Sequence, residues 1–196
     1  MRVISGIAKG RPLKAVPGEG TRPTTDKVKE AIFSMIGPYF DGGDALDLFA
    51  GTGGLGIEAL SRGMDHAVFV DADRKAIETI RHNIQAVKLE SRAEIYRADA
   101  FQALKAIGKR HISFDLIFLD PPYRMKSVPD MLQYMEEHAI ARDGAIAVVE
   151  HEAAHQYPEE IGSFSLRRRA EYGETAVSIY RFTFIKEMDP ANESEQ

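Results

Sequence analysis

Residues 46–56 read Leu-Asp-Leu-Phe-Ala-Gly-Thr-Gly-Gly-Leu-Gly, an apolar run that passes directly into a glycine-rich loop. The apolar part is typical of a short buried strand, and the residues after the loop have helical apolar spacing. Glycines let the backbone turn sharply beside a ligand, and a helix N-terminus offers it free N–H groups. The spacing matches G-x-G-x-x-G, which alone is a weak signal, and a plain tight turn is the alternative.

Alternation of strands and helices continues through most of the chain. We predict strands at 45–49, 67–70, 93–97, 114–119 and 145–149, with helices at 54–62, from Asp73 onward, at 100–107 and at 127–138. An earlier helix begins after Thr24 or Thr25 and ends near residues 37–38, and segments 164–170 and 175–184 form a final hairpin. The pattern predicts an α/β fold with an open, mainly parallel sheet and an antiparallel edge.

The composition is that of a globular chain. Its 196 residues are 44% hydrophobic and 28% charged, which suits one domain with a sizeable core. The absence of cysteine excludes disulfides, thiolate metal sites and cysteine nucleophiles. No apolar run approaches the roughly 20 residues of a membrane span, and the first residues lack a secretory apolar region. We therefore expect a cytoplasmic protein without membrane association.

Charge is distributed unevenly along the chain. The net charge is −5, yet the first 30 residues contain seven basic and three acidic residues, a net charge of +4. Such asymmetry suits a face that binds a polyanion, although the same charges could simply be solvated. We expect three parts: a basic N-terminal extension with a short β-hairpin at 1–24, the main domain at 25–186, and a disordered acidic tail at 187–196.

Three aspartates surround the glycine loop in the predicted topology. Asp71 ends the second strand, where its carboxylate could accept hydrogen bonds from ribose hydroxyls, and Asp99 follows the third strand, near an adenine edge. Asp47 lies within the first strand, below the loop, where a carboxylate repels a pyrophosphate and favours a sulfonium or ammonium. This charge favours S-adenosylmethionine over NAD. Alternatively, Asp71 and Asp99 could cap the helices that follow them.

Asp120-Pro121-Pro122-Tyr123 follows the fourth predicted strand. In an open α/β sheet this position lies at the carboxyl edge, beside the glycine loop. The prolines stiffen the turn and leave the Asp120 carboxylate and the Pro121 carbonyl as acceptors for an exocyclic amine. Accepting both N–H groups would orient the nitrogen lone pair and stabilise developing positive charge, while Tyr123 could stack on the base. A rigid strand exit with a packed tyrosine is the alternative.

Together, residues 46–56 and Asp120-Pro121-Pro122-Tyr123 resemble class I S-adenosylmethionine-dependent amino-methyltransferases. Segments Arg2–Gly6, Lys9–Arg11 and Thr21–Thr25, leading into Ala31–Ser34, resemble the RsmD family of 16S rRNA (guanine(966)-N(2))-methyltransferases. The resemblance spans about residues 1–184. It implies a seven-stranded Rossmann-like fold and methyl transfer to the 2-amino group of one guanine in 16S rRNA. The family usually has glutamate at the position that binds the ribose, where this chain has Asp71.

The resulting assignment comprises three groups of residues. The catalytic group that holds the target base is Asp120, Pro121 and Tyr123. The group predicted to bind S-adenosylmethionine is Asp47, Phe49, Gly51, Gly53, Gly54, Asp71, Ala72, Asp99, Ala100 and Asp120. The group predicted to contact RNA is Lys9, Arg11, Lys14, Arg22 and Lys27, which could grip phosphates. The expected partner is 16S rRNA within a small-subunit assembly particle, bound by a monomer that uses no metal.

Other functions remain open at this point. The same tetrapeptide would serve an adenine-N6 or a protein-amide methyltransferase, and the glycine loop with Asp71 would serve a nicotinamide-dependent dehydrogenase. A non-catalytic RNA-binding module is a further alternative. His151-Glu152-Ala153-Ala154-His155 matches the zinc motif H-E-x-x-H, but that motif requires a helix, and these residues follow a predicted strand. We therefore predict no zinc site.

Overall fold

The computed structural model describes residues 1–18, 25–122, 125 and 127–184. Its helices are α1 (Asp26–Ile36), α2 (Gly54–Ser61), α3 (Arg74–Val87), α4 (Ala100–Lys109) and α5 (Val128–Glu137), with a 3₁₀ turn at Glu90–Arg92. Its strands are β1 (Asp44–Asp47), β2 (His66–Asp71), β3 (Ala93–Arg97), β4 (Phe114–Leu119), β5 (Ala141–Glu152), β6 (Glu160–Ile161), β7 (Phe164–Tyr172) and β8 (Thr175–Phe182). Among these residues, no helix is long and apolar enough to cross a bilayer.

One sheet contains all these strands, in the order β3-β2-β1-β4-β5-β8-β7-β6. The five strands from β3 to β5 pair in parallel, and β8 inserts antiparallel between β5 and β7. The predicted α/β class with an antiparallel C-terminal hairpin is confirmed. The described strands number eight rather than seven, because the two-residue β6 pairs with β7. Strand order reverses between β1 and β4, the position where ligands bind in open α/β sheets.

Most predicted elements occur within one to three residues of their expected bounds. Thr25 caps α1 by accepting a hydrogen bond from the Val28 N–H, and Asp73 caps α3 by accepting one from the Lys75 N–H. Strand β5 is the main exception, because it runs from Ala141 to Glu152 instead of 145–149. Pairing with β8 continues through Glu152, so a tertiary ladder extends the strand over polar residues that alone do not resemble one.

Two hydrophobic clusters cover the two faces of the sheet. Phe33, Ile57, Phe69 and Phe118 belong to the cluster under α1, α2 and α3, whereas Leu104, Met131 and Leu119 belong to the cluster under α4 and α5. Side chains alternate between the two faces along each strand. The cluster to which a strand residue belongs therefore identifies the face of the sheet on which its side chain lies. The residues that follow it, up to the carboxyl edge, alternate from that face.

The N-terminal segment forms an antiparallel pairing at one bridge, Arg2 with Pro12, rather than two regular strands. The Val3 N–H donates to the Arg11 carbonyl at 2.9 Å, and the Leu13 N–H donates to the Met1 carbonyl at 2.9 Å. Val3 and Leu13 are buried in the same cluster as α1 and α2. Residues 1–18 are thus part of the packed domain. A boundary at residue 24 and a disordered tail at 187–196 stay predictions, since both lie outside the described residues.

A buried carboxylate on α2 holds this segment in place. The carboxylate of Glu58 accepts hydrogen bonds from the backbone N–H groups of Ile4 and Ser5, both at 2.9 Å. It also accepts one from Arg62 Nε at 2.8 Å and lies 3.4 Å from Lys29 Nζ. Glu58 and Lys29 are fully buried, and burial lowers the pKa of the Lys29 ammonium. Glu58 therefore joins α1, α2 and the N-terminal segment through charge-assisted hydrogen bonds.

Candidate active site

The glycine loop connects β1 to α2 at the strand-order reversal. Gly53 is the N-cap of α2 with a φ of 79°, a left-handed conformation that strains other residues. Gly56 faces the sheet, where an added Cβ would lie 2.3 Å from a ring carbon of Phe69. Glycines at these two positions allow the sharp turn and the close approach of α2 to β2. The predicted loop between strand and helix is therefore present.

Asp47 lies directly below this loop. Its Oδ2 accepts a hydrogen bond from the Gly56 N–H at 3.1 Å, and only 2% of the residue is exposed. Burial raises the pKa of the Asp47 carboxyl to about 7, although the hydrogen bond from Gly56 opposes the shift. A buried carboxyl of this kind ionises more readily when a cation lies beside it.

Asp71, at the end of β2, supports the loop directly. Its Oδ2 accepts a hydrogen bond from the Gly51 N–H at 2.8 Å, and its Oδ1 accepts one from the Asp73 N–H at 2.8 Å. The helix cap is Asp73 rather than Asp71. A carboxylate has about four lone-pair sites, so Asp71 retains the capacity to accept ribose hydroxyls while it orders Gly51.

Asp99 caps α4, which is the alternative role that the sequence allowed for this residue. Its Oδ1 accepts hydrogen bonds from the N–H groups of Phe101 at 3.0 Å and Gln102 at 3.4 Å, at the start of α4. It also lines the cavity described next, so capping and ligand contact are compatible at this position.

A cavity of about 930 Å³ opens at the carboxyl edge of the sheet. It brings together nearly all the residues assigned to cofactor and target base: Asp47, Phe49, Gly51, Gly54, Asp71, Ala72, Asp99, Ala100, Asp120 and Pro121. Gly53 does not line the cavity, and a Cβ added to it would meet the side chains of Ile57 and Ile80. Tyr123 lies outside the described residues.

Sequence patterns missed several other residues of this cavity. Glu150, Thr175 and the turn at residues 172–173 line it, as does Val28 from α1. The first three come from β5, β8 and the hairpin turn, whose proximity to the glycine loop depends on the antiparallel insertion of β8. Only the order of the strands in the sheet could have identified them.

Asp120 follows β4 and lies next to β1, which leads into the glycine loop. Asp47 is paired with Phe118 across β1 and β4, and the Leu48 N–H donates to the Phe118 carbonyl at 3.1 Å. Burial, followed by the negative charges of Glu150 and Asp47, raises the pKa of the Asp120 carboxyl well above its ordinary value. Three carboxyl groups thus line one region of the cavity, and the charges of Glu150 and Asp47 favour the protonated form of Asp120.

The basic residues occupy two different places. Lys27 lines the cavity, whereas Lys9, Arg11 and Lys14 are exposed on the N-terminal segment and do not line it. Arg22 lies outside the described residues. The structure therefore brings one predicted RNA contact to the cavity and places three others on the adjoining surface.

The H-E-x-x-H residues begin in β5 rather than on a helix. His151 is buried, and its ring nitrogens lie 2.9 Å from the Glu152 carbonyl and 2.9 Å from Ser178 Oγ. Burial lowers the pKa of His151. Across the described parts of the chain, no group of three histidines or carboxylates is arranged to hold a metal. His151 is a core residue satisfied by hydrogen bonds.

Asn83 on α3 links the N-terminal segment to the glycine loop. Its Oδ1 accepts from the Lys14 N–H at 2.7 Å, and its Nδ2 donates to the carbonyls of Lys14 at 3.0 Å and Thr52 at 2.9 Å.

We expect Asn83→Ala to lower the free energy of unfolding by about 1–3 kcal/mol, because the backbone groups of Lys14 and Thr52 lose their partner. We also expect weaker binding of S-adenosylhomocysteine, measured by calorimetry. Gln85→Ala, an exposed change on the same helix, should alter neither quantity, and an equally small effect of Asn83→Ala would contradict the link.

The sheet order, with Asp47 below the glycine loop and Asp120 after β4, is that of a class I methyltransferase, the class to which the similar solved structures belong. The family described as "Conserved hypothetical protein 95" matches residues 1–181. The chain belongs to this family, which confirms the resemblance to RsmD proteins.

Individual relatives cover nearly the whole chain. The "Putative rRNA methyltransferase YlbH" of Bacillus subtilis is 53% identical over 181 residues, covering 92% of this chain and 98% of that protein. "Ribosomal RNA small subunit methyltransferase D" of Escherichia coli is 32% identical over 181 residues, covering 92% and 89%. The solved structure of "Putative methyltransferase yhhF from Escherichia coli" superposes with a TM-score of 0.81 at 31% identity, covering 93% and 98%.

Proposed function

We propose that this protein transfers a methyl group from S-adenosylmethionine to the exocyclic N2 amine of a guanine in 16S rRNA. It acts in the cytoplasm, as a monomer, on a small-subunit assembly particle. One observation carries the proposal: the glycine loop and the acceptor corner formed by Asp120 and Pro121 line the same cavity. A methyl donor and an aromatic amine can therefore meet there. The relatives named as rRNA methyltransferases support RNA as the substrate.

The donor groups around the cavity fit S-adenosylmethionine. Asp71 would accept hydrogen bonds from the ribose hydroxyls, while Asp99 and Ala100 would lie beside the adenine. Asp47 would attract the positive charges of the sulfonium and the amino group. A pyrophosphate would meet the same Asp47 charge below the glycine loop, which disfavours a nicotinamide dinucleotide.

Asp120 and Pro121, which follow β4, orient the target amine so that its nitrogen can attack the methyl group. When bound, S-adenosylmethionine supplies an electrophilic methyl group. The ionised Asp120 carboxylate and the Pro121 carbonyl accept the two N2–H groups, which directs the nitrogen lone pair toward the methyl donor on the glycine-loop side of the cavity. Methyl transfer would leave N2 cationic, and the Asp120 carboxylate and the Pro121 carbonyl would stabilise that positive charge. The nitrogen then releases one proton, which Asp120 is placed to receive, since burial has raised its pKa.

The basic side chains have a matching role in RNA binding. Lys27, at the cavity, would contact the phosphate near the target nucleotide, and Lys9, Arg11 and Lys14 would bind the backbone further out. Neutralising several phosphates makes the affinity fall with increasing salt. The acidic remainder of the molecule would face away from the RNA.

Mass mapping of 16S rRNA from cells with and without the gene tests the proposal. We expect one N2-methylguanosine to disappear with the gene and to return when purified protein and S-adenosylmethionine are added to small-subunit particles. An unchanged map, or a lost methyl group on adenine, would overturn it. Comparing naked rRNA with particles identifies the form that the enzyme recognises.

Cofactor binding should depend on pH through Asp47. Because its carboxyl has a pKa of about 7 and a bound cation favours the ionised form, we expect the affinity for S-adenosylmethionine to rise from pH 6 to 8, by up to about tenfold. Asp47→Asn should keep the acceptor for Gly56 but lose much of this rise. Calorimetry on both proteins is required, since the cofactor's own amino group also titrates near this range. Identical pH profiles would contradict the role of Asp47.

A further inference from the structure

Glu150, on β5, lies beside Asp120, the residue that follows the neighbouring strand β4. Strands β4 and β5 are parallel, with Phe118 paired to Val148 and Leu119 paired to Val149. The next residues on the two strands are Asp120 and Glu150, so their α-carbons are expected to lie about one strand spacing apart, ~4.8 Å.

Both carboxyl groups are on the same face of the sheet. Phe118 and Val148 belong to the cluster under α1 and α2, whereas Leu119 and Val149 belong to the opposite cluster. Because side chains alternate, Asp120 and Glu150 share the face of Phe118 and Val148. Both line the large cavity, and the negative charge of Glu150 contributes to the raised pKa of Asp120. The cavity therefore presents two adjacent carboxylates to a substrate.

Two adjacent acceptors match one base of RNA. Guanine carries its exocyclic N2–H groups next to a ring N1–H, so its edge presents neighbouring donors. In adenine and cytosine the amine instead lies beside a bare ring nitrogen, which is an acceptor and would face a carboxylate unfavourably. Uracil has a ring N–H but no amine. Unmatched buried acceptors are costly, so such a pair discriminates strongly between bases.

We propose that Glu150 is a specificity-determining residue that accepts the N1–H of the target guanine while Asp120 accepts the amine beside it. The inference rests on the proposed function, since it concerns the base that enters the same cavity. A carboxylate has capacity for several hydrogen bonds, so this role is compatible with other contacts of Glu150. Selection of guanine over adenine then follows from neighbouring positions on β5 and just after β4 rather than from the Asp-Pro-Pro-Tyr segment alone.

The test compares 16S rRNA carrying either guanine or 2-aminopurine at the nucleotide identified by mass mapping. 2-Aminopurine keeps the reacting 2-amino group, but its N1 is an acceptor. We expect the wild-type enzyme to prefer guanine by about 10- to 100-fold in kcat/KM. Glu150→Gln supplies an amide N–H for that N1, so the preference should fall to about one or reverse. Glu152→Gln, an exposed carboxylate further along β5, should keep the wild-type ratio.

The ratio separates direct recognition from an effect through Asp120. If Glu150 only adjusts the ionisation of Asp120, Glu150→Gln changes both substrates equally, and the unchanged ratio overturns the inference. A wild-type enzyme that does not distinguish the two bases overturns it as well. If Glu150→Gln is inactive, the same ratio is obtained from equilibrium binding of the two RNAs in the presence of S-adenosylhomocysteine. Glu150→Asp retains a carboxylate and should keep the preference for guanine. If the wild-type enzyme methylates neither base, the proposed function itself fails.

Discussion

Asp120→Ala is expected to lower kcat by about 10²- to 10³-fold, the range seen when one group that stabilises a transition-state charge is removed. The variant lacks the carboxylate that we propose orients the N2 amine and receives its proton. Affinity for S-adenosylhomocysteine should change much less, because Asp47 and Asp71 hold the loop on the cofactor side of the cavity. Single-turnover methyl transfer to small-subunit particles and calorimetry with S-adenosylhomocysteine measure the two effects separately.

The control for this variant is Asp130→Ala, which removes an exposed carboxylate in the first turn of α5. It should leave both kcat and cofactor affinity unchanged. An equal loss of cofactor affinity and turnover in Asp120→Ala would show that Asp120 serves the cofactor rather than the amine. The assignment of Asp120 to the target base would then be wrong.

The pH dependence of the wild-type enzyme has a defined sign. The pKa of Asp120 is raised by burial and by the charges of Glu150 and Asp47, so the group holds its proton at higher pH than an ordinary aspartate. A protonated Asp120 carboxyl can neither stabilise positive charge on the amine nor receive its proton. We therefore expect kcat/KM to fall as the pH is lowered through the raised pKa.

Glu58→Ala should lower the free energy of unfolding by about 3–5 kcal/mol, as is typical when one partner of a buried ion pair is removed. The change leaves the Lys29 ammonium and the Arg62 guanidinium buried without their counter-charge. It also leaves the Ile4 and Ser5 N–H groups without their acceptor. Urea unfolding followed by circular dichroism measures the loss.

Glu78→Ala provides a matched comparison, because Arg74 and Glu78 form an ion pair with the same i,i+4 spacing on an exposed helix face. Its effect should stay below about 0.5 kcal/mol, since solvent screens exposed pairs. Equal effects of the two substitutions would contradict the account of Glu58 as a buried junction. Protection of the N-terminal amides from hydrogen exchange should decrease in Glu58→Ala and not in Glu78→Ala, because Glu58, unlike Glu78, accepts hydrogen bonds from that segment.

Local patterns were sufficient where one element determines its own structure. The apolar spacing of α3, the cap at Thr25 and the glycine loop before α2 each depend on neighbouring residues, and each occurs as predicted. The pattern also placed Asp71 and Asp120 at strand ends and Asp47 within the first strand, below the glycine loop, because parallel strands connected by helices carry their carboxyl ends on one edge. Most of the cofactor side of the cavity follows from that rule.

Long-range pairing determined what these patterns missed. Strand β5 continues through Glu150 to Glu152 because β8 pairs with it, and Glu58 is buried where the N-terminal segment and α1 pack over α2. The alternation of strands and helices by itself determined the fold class and the position of the cavity at the glycine loop. The tertiary structure alone placed Glu150 beside Asp120 and joined the N-terminal segment to the core, since neither contact can be derived from short-range spacing.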